Sequence, residues 1–313
     1  MSVFSSWVRK FSSVGSGRHG LRPGGPVGHP LGDKRKRRLR AKVGGMLALG
    51  AGLVLAPAAR ASVPEGWQAL TLLKADEALR GFDAGRASAT PAGAREADFG
   101  RAVALLARQP ITPEQVETAR QLFAALADSG TDDAALGARY FLGRIAQHHQ
   151  EHADPAEAAR QFRTLIAGHE TSLWAQAALT RLALLELYPA DEQTPPAGRV
   201  AAAEKLLAQA HRPMAQSELH LVLADAIFYY ELPPAGALPH LLAAEQLGRL
   251  DAPTRADVLV QIAEVSVLTG NPAQARRFYE TFLAEFPLDR RRFMVGQKLK
   301  GLAGGGPPPG VGR

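Results

Sequence analysis

The chain has 313 residues, of which 46% are hydrophobic and 6% are aromatic, and its formal net charge is +7. Residues 1–61 hold 12 Lys and Arg side chains against one acid, Asp33, whereas residues 62–313 hold 25 basic and 29 acidic groups, so a basic globular domain that binds nucleic acid is excluded. The absence of cysteine excludes disulfides, thiolate metal sites and cysteine nucleophiles.

The first 61 residues have the order of a secretory signal peptide with a long basic leader. A basic run at Lys34–Lys42 precedes the uncharged apolar stretch Val43–Ala56, and the small-residue triplet Ala59–Ala61 follows. This order predicts export, cleavage after Ala61 and a periplasmic protein. The alternative is an uncleaved segment that anchors the protein in the inner membrane, although an apolar run of about 14 residues is shorter than the ~20 that span a bilayer.

Residues 62–92 are expected to form an N-terminal helix and a linker. Apolar residues at helical spacing predict one helix from Trp67 to Phe82. Gly, Ser, Thr and Pro residues between Gly85 and Gly93 predict the linker that joins it to the rest of the chain.

Helix start signals recur along residues 93–300. Thr112, Asp154 and Asn271 each precede a proline and stand three residues before a Gln or Glu, the pattern of an N-cap followed by Pro at the first helical position. Between these points apolar residues recur at helical spacing and no segment alternates convincingly, as a half-buried strand would. The sequence therefore predicts an all-α chain.

Five helices of this region, including the three opened by these start signals, carry a small residue followed four positions later by a bulky one. The small residues are Ala119, Ala158, Ala203, Ala237 and Ala275, spaced 39, 45, 34 and 38 residues apart, and the bulky ones are Phe123, Phe162, Leu207, Leu241 and Tyr279. A period between 20 and 50 residues is typical of a solenoid of stacked helix pairs. The small side chain lets the second helix approach the first, and the bulky one fills the groove between them.

The last of these units resembles the tetratricopeptide repeat family. Ala263, Ala275, Tyr279 and Pro287 occupy the pattern positions of that family, and Phe282 in place of the commoner Ala is similar to its bacterial envelope branch. The resemblance implies a right-handed superhelical solenoid of antiparallel helix pairs, with about five degenerate repeats over residues 93–300.

The end of the chain differs in composition from the predicted repeats. Residues 301–313, nine of which are Gly or Pro, are expected to be a disordered tail. Arg290–Arg292 forms a short basic cluster at a helix start, which we interpret as a solvated turn, with a phosphate or lipid-surface contact as the alternative.

A binding surface is implied by the resemblance, because the first helix of each pair in such a superhelix lines its concave face. The residues expected on that face are Tyr140, Arg144, Gln147, Thr180, Tyr229, Asp257 and Glu264. Tyr140 and Arg144 are the favoured contacts, since aromatic and Arg side chains anchor interfaces. We expect an exported, non-enzymatic scaffold or adaptor that binds a protein or peptide partner in the bacterial cell envelope. No catalytic residue, cofactor or resident metal is predicted, no nucleic acid is expected, and membrane contact is expected only through the N-terminal segment.

Two alternatives to a scaffold stay open at the level of the sequence. Residues 148–152 read His-His-Gln-Glu-His, and on a helix His148 and His152 would share a face and ligate zinc, with Glu151 as the base of a metal-dependent hydrolase. The helix start at Asp154, directly after this segment, favours a solvated helix end instead, and no motif supplies a third ligand. The other alternative is a structural factor in the assembly of the outer membrane or of envelope polysaccharide.

Overall fold

The computed structural model describes residues 62–87, 89–148, 153–189 and 193–303, and these form thirteen α-helices and no strand. The helices are α1 Val63–Thr71, α2 Ala75–Ala87, α3 Pro91–Ala107, α4 Pro113–Asp128, α5 Asp133–His148, α6 Pro155–Gly168, α7 Leu173–Leu187, α8 Pro196–Glu204, α9 Pro213–Tyr229, α10 Ala237–Leu247, α11 Ala252–Leu268, α12 Pro272–Glu285 and α13 Arg292–Ala303. Two 3-10 helices, Lys205–Gln209 and Pro234–Gly236, follow α8 and precede α10. The predicted all-α class is confirmed over the described part of the chain.

The helices pack in a series along the chain. Each helix contacts the next, and α1, α3, α5 and α7 each also contact the following odd-numbered helix. The described chain is therefore a repeat-like stack of helix pairs, α1/α2 through α11/α12, with α13 packed on the last pair. No described helix combines the length and apolar character that crossing a bilayer demands. The expected signal peptide and the residues of the tail from Gly304 lie outside the described residues.

The three helix starts read from the sequence are present and capped. Thr112 and Gln115 form a reciprocal capping box at α4, in which the Gln115 amide nitrogen donates to Thr112 Oγ1 over 3.3 Å. Asp154 accepts the amide of Glu157 at α6 over 2.9 Å, and Asn271 accepts that of Gln274 at α12 over 3.0 Å. Each cap satisfies an amide that has no partner inside its own helix.

The N-terminal segment differs from the single helix expected between Trp67 and Phe82. It forms two helices, α1 and α2, joined by a tight turn in which Leu73 adopts a left-handed φ of 60°. The rings of Trp67 and Phe82 pack edge to face across this turn, with centroids 4.9 Å apart. The single-helix prediction was wrong because the turn contains no Gly or Pro, so the apolar spacing continues through it.

The small and bulky residues of the repeat pattern lie between paired helices. Ala119, Ala158, Ala203, Ala237 and Ala275 are all fully buried. Phe123, Phe162, Leu241 and Tyr279 are buried with them, whereas Leu207 is half-buried and its neighbour Leu206 takes the core position. That exchange follows from the 3-10 turn after Glu204, whose tighter winding rotates the later side chains relative to an α-helix.

Candidate binding surface

The odd-numbered helices α5, α7, α9 and α11 form the surface on which a partner was expected, here called the first-helix face. Helices α5 and α7 pack together, as do α7 and α9, but no comparable contact joins α9 to α11. The 3-10 turn Pro234–Gly236 contacts both α9 and α11. A cavity of about 280 Å³ lies between α7, α9 and α11 as a result.

This cavity combines an apolar floor with charged walls. Leu184, Leu221 and Val222 supply apolar surface from α7 and α9. Its charged lining residues are Arg181, Glu218, Asp225, Arg249, Asp251 and Asp257. Pockets of this kind, apolar with a few placed polar groups, are where proteins bind ligands and peptide side chains.

A buried polar chain leads from the cavity to α5. Arg181 is only 2% exposed, and its Nε donates to the Tyr140 hydroxyl over 3.3 Å. Arg144, one turn beyond Tyr140 on α5, reaches the same hydroxyl with a long contact of 3.5 Å. Burial lowers the pKa of Arg144, and the charge of Arg181 acts in the same direction. Two arginine groups therefore lie close together below the surface.

Three buried polar atoms on this face have no hydrogen-bond partner within the described residues. They are Arg144 Nε, Gln147 Oε1 and Ser217 Oγ. Buried polar groups in folded proteins are nearly always paired, and an unpaired one costs roughly 1–3 kcal/mol. Arg144 also forms no ion pair with any described acid. The α5 and α9 portions of the face therefore hold unused donor and acceptor capacity.

The acidic wall of the cavity begins at Glu218. Its carboxylate accepts a hydrogen bond from Thr180 Oγ1 over 3.1 Å. Burial raises the pKa of Glu218, against the smaller opposing effects of Thr180 and Arg181. The side chain is thus held in an environment that disfavours its charged form.

Replacement of Glu218 by Gln is expected to raise the melting temperature at pH 7. The Glu218 carboxyl has a higher pKa in the folded chain than in the unfolded chain, so the unfolded chain loses this proton first as pH rises. The free energy of unfolding therefore falls progressively from the ordinary carboxyl range up to the raised pKa. Gln keeps an acceptor for Thr180 and removes that penalty. Thermal unfolding should show the gain at pH 7 and its disappearance near pH 4.

The exposed Glu280 on α12 provides the control for this substitution, since Glu280→Gln should leave the melting temperature unchanged at both pH values. A lower melting temperature for Glu218→Gln at pH 7 would contradict the prediction, because it would show that attraction to Arg181 outweighs burial.

The predicted surface residues fall into different environments. Tyr140 is 3% exposed and lies beneath the face, where it supports Arg181 and Arg144. Thr180 and Asp257 line the cavity, although Thr180 is itself 8% exposed. Gln147 is half-buried, and Tyr229 is 69% exposed at the end of α9.

The C-terminal part of the chain forms ion pairs with two of the predicted residues. Arg291, just before α13, pairs with Asp257 over 2.6 Å. Lys298 of α13 pairs with Glu264. Because α13 and the residue before it provide these two cations, the α11 end of the first-helix face is partly covered by the chain itself.

Sequence reasoning missed Arg181 and Glu218, which are central to the cavity. A signal existed for Arg181, which is the only charged residue between Leu173 and Leu185, since a lone charge in an apolar helix is rarely buried without a role. The sequence also gave no sign of the contact between His220 and His240, whose Nδ1 atoms lie 3.0 Å apart with Glu204 on the far side of His240.

The segment proposed for zinc is largely outside the described residues. His148 ends α5, and Glu151 and His152 lie beyond the part of the chain that the structure describes. Within the described ranges no three His, Asp or Glu side chains are grouped so as to hold a metal ion. Comparison with protein-family models, with curated proteins and with solved structures finds no match to this chain.

Proposed function

We propose that the protein is a non-enzymatic scaffold that binds an extended peptide segment of another protein on the first-helix face. The observation that carries this proposal is the cavity between α7, α9 and α11, together with the unpaired polar atoms of Ser217 in its lining and of Arg144 and Gln147 on α5. An extended peptide has a free backbone N–H and C=O at every residue, which are the groups that such atoms bind.

The charges of the face favour a particular order of side chains in that peptide. Arg144 and Arg181 place positive charge at the α5 and α7 end, and Asp225 and Asp251 against Arg249 leave net negative charge at the α9 and α11 end. An acidic side chain or carboxylate is expected at the first end and a basic one at the second, because like charges brought together oppose binding. An apolar side chain between them would enter the cavity beside Leu221.

The location we propose is the bacterial cell envelope. It rests on the order of basic run, apolar run and small-residue triplet within residues 1–61. A preformed stack of helices suits a peptide-binding scaffold, because a rigid surface binds without the entropic cost of ordering itself.

Selection of a random twelve-residue peptide library on the full chain tests this proposal. Enriched peptides are expected to carry an acid and a base separated by an apolar residue. Leu221→Trp, which fills the cavity, should weaken binding of the selected peptides at least about tenfold. Arg144→Gln should weaken binding by a similar factor, because it removes a charged hydrogen-bond donor worth about 1.5–3 kcal/mol. Isothermal titration measures both.

Ala284→Trp is the matched control, since Ala284 is exposed on α12, away from the first-helix face. It should leave peptide affinity unchanged. If no peptide is enriched, or if Leu221→Trp binds selected peptides as well as the unchanged chain does, the first-helix face is not a peptide site.

A further inference from the structure

The last helix of the stack has an unusual outer face. Its inner side is apolar, with Val295 fully buried and Leu299 and Leu302 packed on the core. The terminal element of a helical solenoid normally turns a polar face to water. Here Phe293 is 77% exposed and Met294 is 42% exposed, and Leu288 in the preceding turn is 97% exposed.

The C-terminal region, residues 286–303, carries net positive charge, whereas the rest of the described chain carries net negative charge. Residues 286–303 carry five Lys and Arg against one acid, Asp289, whereas residues 62–285 carry 19 basic and 28 acidic groups. Arg291 and Lys298 are used in ion pairs with α11, and Asp289 is itself paired with Arg291. The positive charge that remains is concentrated at one end of an acidic stack.

Three cations of this region face solvent. Arg290, Arg292 and Lys300 are exposed and form no ion pair with another described residue. Lys300 lies seven residues after Phe293, so both are on one side of α13. The cations thus border the exposed apolar side chains rather than standing apart from them.

We propose that α13 and the turn before it dock on the surface of an anionic phospholipid bilayer. Leu288, Phe293 and Met294 enter the headgroup region, while Arg290, Arg292 and Lys300 contact lipid phosphates. Apolar side chains beside Lys and Arg on the outer face of a short helix are the composition of an interfacial lipid-binding element.

The shape of the region favours a lipid surface over a bound peptide. Leu288 protrudes from the turn before α13, and Phe293 protrudes from the first turn of α13. They are the most exposed large apolar side chains between the start of α11 and the end of α13. Protruding side chains can enter a fluid headgroup layer without any preformed complementary pocket. Long Arg and Lys stems beside them extend to phosphates at the same depth.

A fluorescent label on α13 tests the docking in the full chain. The sequence contains no cysteine, so Gln297→Cys provides a single attachment site for an environment-sensitive dye between Phe293 and Lys300. Vesicles that contain phosphatidylglycerol should shift the dye emission to shorter wavelength, and pure phosphatidylcholine vesicles should not. The shift should weaken as salt rises, because surface charge attraction is screened.

Two variants separate the apolar and the charged contributions. In the labelled chain, Leu288→Ser with Phe293→Ser should weaken vesicle binding about tenfold or more, and Arg290→Gln with Arg292→Gln should do so for anionic vesicles. All four positions are exposed, so an unchanged circular dichroism spectrum is expected. Leu73→Cys, exposed in the α1–α2 turn at the other end of the stack, is the control label and should show a smaller shift than the label at position 297.

The proposal is overturned if the label at position 297 shows no shift with anionic vesicles, or an equal shift with phosphatidylcholine. An equal shift with polyglutamate would instead identify an acidic polypeptide as the occupant. A shift that grows with protein concentration in the absence of vesicles would identify a second copy of the chain, whose acidic stack is also complementary in charge.

Discussion

Replacement of Phe99 by Ala is expected to lower the free energy of unfolding by about 3–5 kcal/mol. Phe99 is fully buried, and its ring contacts those of Trp67, Phe123, Phe141 and Trp174 at centroid distances of 6.0, 5.7, 5.8 and 5.6 Å. These four rings belong to α1, α4, α5 and α7, so the Phe99 ring on α3 links four successive helix pairs. Urea unfolding followed by circular dichroism measures the loss.

The control for Phe99→Ala is Phe293→Ala, the same change at a ring that is 77% exposed, for which a change within about 0.5 kcal/mol is expected. A loss below about 1 kcal/mol at Phe99 would contradict the structure, since a cavity of that size inside an aromatic cluster cannot cost so little. A broad or two-step transition would show instead that the pairs no longer unfold together, as the loss of a linking residue in a stacked repeat predicts.

Local signals in the sequence were sufficient to predict the class of the fold and three of its helix starts. The Thr112, Asp154 and Asn271 starts depend on groups within four residues of one another, so their chemistry is complete in the sequence. The α1–α2 turn at Leu73 is held by contacts between Trp67 and Phe82, which only the packed structure brings together. No neighbouring residue marks that turn.

The binding surface was predicted less well for a related physical reason. Helical periodicity identifies which residues share a side of one helix, but it does not show which other helix covers them. Tyr140 was expected on the binding face and lies below it, and Glu264 was expected to contact a partner there and pairs with Lys298. The cavity beside Arg181 exists because α9 and α11 stand apart, a spacing set by the turn at Pro234–Gly236 rather than by any residue of the face.

Replacement of Gly100 by Val is expected to destabilise the protein by about 3 kcal/mol, the upper part of the range for overpacking a core. A Cβ atom at Gly100 would overlap the Cε1 and Cζ atoms of Phe82. Phe82 is fully buried and packed edge-on against Trp67, so its ring has no space into which to move. Thermal and urea unfolding both measure the effect.

The cause can be isolated with a second substitution. Phe82→Leu by itself destabilises the chain, but it also removes the ring that a valine side chain at position 100 would strike. The double variant should therefore be more stable than the sum of the two single losses predicts. Gly296→Ala is the control, because nothing lies within 4 Å of the added Cβ, and helix propensity there should raise stability by about 0.5–1 kcal/mol. Additive losses at Gly100 and Phe82 would mean that α2 and α3 are not in the close contact described, and the first two helix pairs would then need a different packing.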